Sequence, residues 1–134
     1  MTVRSFATLL LFFCNSCFAD SAPPERCSSG GLDSQDIYDC SKLRIEAADK
    51  ELNSTYKDLN SRVSTEYRAD APLGEKLKEH IKTSQIAWIK LRDSNCAVES
   101  FVISRETQAF ETTKNNCLAR ETIGRTHYLK NLKF

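Results

Sequence analysis

The sequence predicts an all-α protein, an antiparallel three-helix bundle stapled by two disulfides, and three observations carry that prediction. Apolar residues recur at steps of three and four through two long stretches, separated by a single Asp70-Ala71-Pro72 step. No run alternates apolar and polar residues for long enough to build a sheet. Four cysteines, Cys27, Cys40, Cys96 and Cys117, remain once the leader is set aside, an even set in a chain that reads as exported.

Residues 1–19 read as a signal peptide. Arg4 supplies the basic start, Phe6 to Cys14 form an apolar segment too short to span a bilayer, and Cys17-Phe18-Ala19 place small residues ahead of a cut after Ala19. Cys14 and Cys17 fall inside the removed piece, so their CxxC spacing carries no redox or zinc chemistry. Neither sits in a Leu-small-small-Cys box, which argues against a lipid anchor and for a periplasmic or secreted chain. Removing 19 of 134 residues leaves 115, enough for one domain with one modest core.

Residues 20–34 form an extended arm, punctuated by Pro23-Pro24 and Gly30-Gly31, and the helical domain occupies 35–134. Asp33 suits an N-cap, and Asp36 three residues on adds negative charge where the helix dipole favours it. Ile45, Ala48, Leu52, Tyr56, Leu59, Val63 and Tyr67 then trace one amphipathic helix of about 30 residues, roughly 45 Å long. Pro72 is tolerated in the first turn of a second helix, which runs to about Cys96 with Leu73, Leu77, Ile81, Trp88 and Leu91 facing inward. Between Val98 and Asn116 the apolar residues Phe101, Val102 and Phe110 keep no single period, which predicts a helical extension, a turn and an irregular joint. A last helix starts at about Cys117, with Leu118, Thr122, Arg125, Leu129 and Leu132 inward. Gly124 inside it costs about 1 kcal/mol relative to alanine, which a close helix approach opposite Trp88 would explain.

Charge narrows the function classes. Arg4 is the leader's only charge, so of 19 basic and 18 acidic side chains the mature chain keeps 18 of each. Such balance argues against electrostatically driven binding to nucleic acid or to an anionic membrane, and no segment of the mature chain suits membrane insertion. The cysteine spacings of 13, 56 and 21 residues lack the short knuckles of zinc sites, which favours disulfides over a metal centre. His80 and His127 are isolated, and Asn53-Ser54-Thr55 matches the glycosylation pattern by chance, since Asn53 is expected inside the bundle. No nucleophile–base pair or phosphate-cradling glycine loop is recognisable, so neither an enzyme nor a cofactor is expected.

Three motifs converge in space. Gln85, Trp88, Arg92 and Cys96 follow one helix face, and Asp93 adjoins Arg92. A hairpin turning near Asp70 brings Asp49 level with Leu91 and Asn53 level with Ala87. A third helix antiparallel to the second brings Thr122 and Arg125 to the same layer. Asp49 and Arg125 occupy inward positions and need partners there, because an unpaired buried charge costs several kcal/mol. The layer reads either as a structural ion network beside a tryptophan core or as a recessed polar binding site.

The same motifs carry a resemblance. Gln85-x-x-Trp88-x-x-x-Arg92-Asp93-x-x-Cys96, Ala48-Asp49-x-x-Leu52-Asn53-x-x-Tyr56 and Cys117-x4-Thr122-x2-Arg125-x3-Leu129 together resemble the lysozyme inhibitor LprI-like N-terminal domain family, from about Cys27 to Leu132. This chain lacks the Gly-Gly step that members often carry between the second and third helices. The geometry of the bundle permits several cysteine pairings, and the resemblance implies Cys27 with Cys40 and Cys96 with Cys117. It also implies a protein partner, a lysozyme-type muramidase blocked by occlusion of its cleft. Arg26, Arg105, Glu106 and Lys114 lie on the arm or in the joint and are candidate contacts. The alternative is an envelope accessory protein that binds another periplasmic partner without inhibiting anything.

Overall fold

A computed structural model describes Cys27 and residues 33–134; the leader and the rest of the arm, Arg26 included, lie outside these residues. Three helices, α1 (Ser34–Glu66), α2 (Ala71–Glu99) and α3 (Gln108–Asn131), account for almost all of the described chain. Local chemistry fixes each start. The Asp33 carboxylate accepts from the Asp36 N–H at 2.8 Å, Asp70 accepts from the Leu73 N–H at 3.1 Å with Pro72 in the first turn, and the Thr107 hydroxyl accepts from the Phe110 N–H at 3.2 Å.

Cross-helix contacts fix the directions. Asp49 meets Arg92, and Val63 lies beside Gly74, so α2 runs back along α1. Gln35 bonds Gln108 and Arg62 bonds the Leu132 carbonyl, so α3 runs the same way as α1. The helices α1 and α3 form the main contact, and α2 lies against the seam between them.

The core is small. Leu52, Leu59, Val63, Ile81 and Leu129 form the buried cluster, with Tyr56, Tyr67, Leu77, Trp88 and Leu132 packed against it. Towards the other end, apolar side chains give way to Cys96, Cys117 and Ser100, all at most 1 % exposed. The pairs are Cys27–Cys40 and Cys96–Cys117, as the resemblance implies, with Cα atoms 5.6 and 5.5 Å apart.

Three expectations about the helices need correction. The third helix starts at Gln108, nine residues before Cys117, so the joint shrinks to the Ser100–Thr107 loop. Apolar periodicity misses this first part because its contacts with α1 are polar: Gln108 to Gln35, Asn115 to Ser41 and Asn116 to Arg44. Leu73 and Leu91, expected inward, are 48 % and 59 % exposed. The inner face of α2 is a narrow stripe of Gly74, Leu77, Ile81, Gln85, Trp88, Arg92 and Cys96, and both leucines stand one residue off it. On α3 the fully buried stripe is Cys117, Ala119, Thr122, Thr126 and Leu129, while Leu118 and Arg125 are only partly covered.

The two helical glycines are opposites. A Cβ on Gly74 would stand 2.9 Å from Tyr67 Cβ, so this glycine lets the start of α2 press onto the end of α1. A Cβ on Gly124 would meet nothing within 4 Å, so no close helix approach accounts for it. Gly124→Ala is therefore expected to raise stability by about 1 kcal/mol through helix propensity. Gly74→Ala should lower it by about 1–2 kcal/mol through overpacking. Urea unfolding of the two variants checks the contrast, and equal effects of the same sign would contradict the packing at Gly74.

Candidate functional site

Arg92 is the point where all three helices meet. Its side chain is 14 % exposed, and its Nη1 donates to Asp49 on α1 at 3.3 Å and to the Thr122 hydroxyl on α3 at 3.1 Å. Its Nε donates to Asp93 on its own helix at 3.0 Å, and Nη2 of the same guanidinium lies 2.9 Å from that carboxylate. The guanidinium also lies over the Trp88 ring, 5.2 Å from its centroid. Five directed donors suit Arg to this place, where lysine would supply a point charge.

Arg125 sits one to two turns away and is bound differently. Its Nε donates to Gln85 Oε1 at 3.0 Å and its Nη2 to the Ser84 hydroxyl at 2.9 Å. Its guanidinium lies near two aromatic rings, 5.6 Å from the Trp88 centroid and 4.9 Å from that of Tyr128. Burial lowers its pKa from the ordinary value and Tyr128 acts in the opposite direction, yet an arginine there stays charged at any physiological pH.

The polar layer predicted from sequence is thus partly assembled. Asp49, Gln85, Trp88, Arg92, Asp93, Thr122 and Arg125 are brought together, but Asn53 stands on the exposed side of α1, one position away from the buried Leu52. Asp49 is not an inward charge: its side chain is 47 % exposed, and the buried partner is the arginine. Arg125 has no acid within ion-pair distance among the described residues, since neutral oxygens and aromatic faces hold it instead. Trp88 is half-buried, a plate between two cations at the edge of the core and not a residue of its centre. Most donors of the layer are engaged within the protein, which is the chemistry of a brace.

The second feature is the loop between α2 and α3. Phe101 and Val102 are 79 % and 90 % exposed at its tip, and Val98 at the end of α2 is 75 % exposed. Solvent-facing apolar side chains at this density are uncommon outside interaction sites. The loop is held firmly at its base. The Cys96–Cys117 disulfide ties its two flanking helices, Ser100 is buried and donates to the Cys96 carbonyl at 2.8 Å, and Arg120 pairs with Glu99 across the gap. Within it, Phe101, Ile103 and Thr107 donate backbone N–H groups to Val98, Ser100 and Ser104.

Of the candidate contacts, Arg105 and Lys114 line one depression of about 380 Å3 together with Phe101 and Phe110, and Lys114 Nζ lies 5.9 Å from the Phe110 ring centroid. Glu106 is exposed nearby but does not line it. In the sequence Phe101 and Val102 show only as apolar residues that keep no helical period. Two adjacent apolar residues fitting no helix face were the available signal. Among the described residues, no group of three or more His, Cys, Asp or Glu side chains could hold a metal ion, and no helix is long and apolar enough to cross a membrane.

Comparisons with known proteins agree with this architecture. The family model described as lysozyme inhibitor LprI matches residues 27–129. A protein of Rhizobium meliloti (strain 1021), described as uncharacterized, is 31 % identical over 130 residues, spanning 92 % of this chain and 91 % of its own. The crystal structure of a DUF1311 family protein from Pseudomonas putida KT2440 is similar with a TM-score of 0.67 at 28 % identity, covering 75 % of this chain and 93 % of that one.

The two arginines should differ on truncation. Arg92→Ala leaves Asp49, Asp93 and Thr122 without their shared donor and is expected to cost about 2–3 kcal/mol. Arg125→Ala removes two hydrogen bonds and two ring contacts but strands no acid, for about 1–2 kcal/mol. Urea denaturation at neutral pH reads both, and a larger loss at Arg125 would contradict this division of roles.

Proposed function

Because the chain belongs to the lysozyme inhibitor LprI family, we propose that it is an exported protein-binding module that blocks lysozyme-type muramidases by inserting the loop between α2 and α3 into their glycan cleft. The observation that carries the reading is the Phe101–Val102 tip, exposed on a loop that a disulfide braces from below. A rigid protrusion loses little conformational freedom on binding, so its apolar contacts count almost fully towards affinity. The tip suits the apolar walls of a sugar-binding cleft. Arg105 and Lys114, set behind it, offer donors to the carboxylates on which glycoside hydrolysis depends.

Export supports the same reading. Two disulfides suit an oxidising compartment, and the leader proposed for residues 1–19 would deliver the chain there, where muramidases act on the cell wall. The family is one of inhibitors, and the polar layer around Arg92 supports a scaffold role better than a catalytic one. The loop, not that layer, is the binding element.

A turbidity assay of cell-wall lysis with the purified mature chain tests the proposal across several lysozyme classes. Inhibition should be stoichiometric and should weaken with added salt as charge pairing is screened. Replacing Phe101 and Val102 together by serine should weaken inhibition by about tenfold or more, as loss of a central apolar anchor does, without lowering stability, because both are exposed. Arg105→Ala should mainly reduce the salt dependence, with Lys114 left to carry the rest. No binding to any lysozyme class would reject occlusion and leave a non-inhibitory envelope partner as the role.

A further inference from the structure

The opposite end of the bundle holds a site that the loop does not use. About five turns along α3 from the loop, roughly 27 Å away, α2 and α3 leave a cleft of about 260 Å3. Its floor is the uncovered edge of the core, where Leu77 and Leu132 lie beside the buried Ile81 and Leu129. Arg125, Lys133, His80, Ser84, Tyr128 and Phe134 also line the cleft, and no Asp or Glu side chain does.

Among the described residues neither Arg125 nor Lys133 has an Asp or Glu side chain within ion-pair distance. Gln85 and Ser84 occupy Nε and Nη2 of Arg125, and its third nitrogen makes no hydrogen bond among these residues. Two hydrogen bonds and the nearby Trp88 and Tyr128 rings restrict the guanidinium, which lowers the entropy lost when a ligand binds it. An apolar floor beside Arg125 and Lys133 is complementary to an anion with an apolar body.

We propose that this cleft binds a small carboxylate with an apolar body, such as a medium-chain fatty acid, its head on Arg125 and Lys133 and its body on Leu77, Ile81, Leu129 and Leu132. The size of the cleft selects within that class. It lies at the small end of ligand cavities, so it takes a short acyl chain or one aromatic ring and excludes a two-chain lipid. A guanidinium gives a carboxylate strong charge-assisted hydrogen bonds, and the apolar surroundings strengthen them.

Calorimetric titration of the mature chain with decanoate, decanol and acetate separates head from tail. Decanoate should bind one-to-one, decanol about tenfold or more weaker, and acetate not measurably. Because Arg125 also braces Trp88, the informative variant is Ser84→Asp, which offers Arg125 an internal carboxylate in place of the ligand's. It should keep or raise the melting temperature and weaken decanoate about tenfold. Lys133→Glu, at an exposed position, should weaken it as well. The proposal is overturned if decanol binds as tightly as decanoate, if decanoate does not bind, or if both variants leave its affinity unchanged.

Discussion

Arg92 sets the terms on which this small bundle holds together. Its guanidinium touches Asp49, Asp93 and Thr122, and so places one cation against each of the three helices while its flat face rests on Trp88. A cation taken out of water costs several kcal/mol unless its donors are satisfied. The three helices are therefore constrained to one mutual register. Asp49 and Asp93 keep part of their surfaces in water, which spares the site the larger penalty of a fully buried ion pair.

The brace divides the molecule into two ends with different chemistry. Towards Phe134 lies the apolar cluster of Leu52, Leu59, Val63, Ile81 and Leu129, which α2 covers incompletely and so leaves the cleft beside Arg125. Towards the loop there is little apolar bulk, and two disulfides with polar contacts between α1 and α3 take over. A domain of this size buries only a modest core, and covalent staples suit the end where that core thins out. The same staples free the loop from packing duties. Phe101 and Val102 can face solvent there because nothing beneath them depends on their burial.

Much of the architecture was legible in the chain. The α1 stripe from Ala48 to Val63, the Asp33 cap and the break before Pro72 all follow from local rules, because periodicity, cap chemistry and proline geometry act over a few residues. The early turns of α3 were not legible, since Gln108, Asn115 and Asn116 meet α1 through hydrogen bonds and leave no apolar period. Asp49, Arg92 and Thr122 lie in the three family motifs, but charge type alone could not say which arginine is paired. Arg92 and Arg125 read alike until the positions of Asp49, Gln85 and Ser84 are known.

An all-helical chain, its family and its two principal helices follow from the order of residues alone, because these rest on spacing within one segment or on motifs read in order. Packing settles what spacing cannot carry. It set Asn53 outward and Trp88 at an edge, closed Cys96 onto Cys117 beneath an exposed Phe101, and left Arg125 facing an apolar cleft without an acid. Each of these depends on which face of a helix meets a neighbour and at what rotation. A shift of one residue turns a side chain by about 100° around the helix, so the choice between buried brace and open site belongs to the packing of the whole bundle.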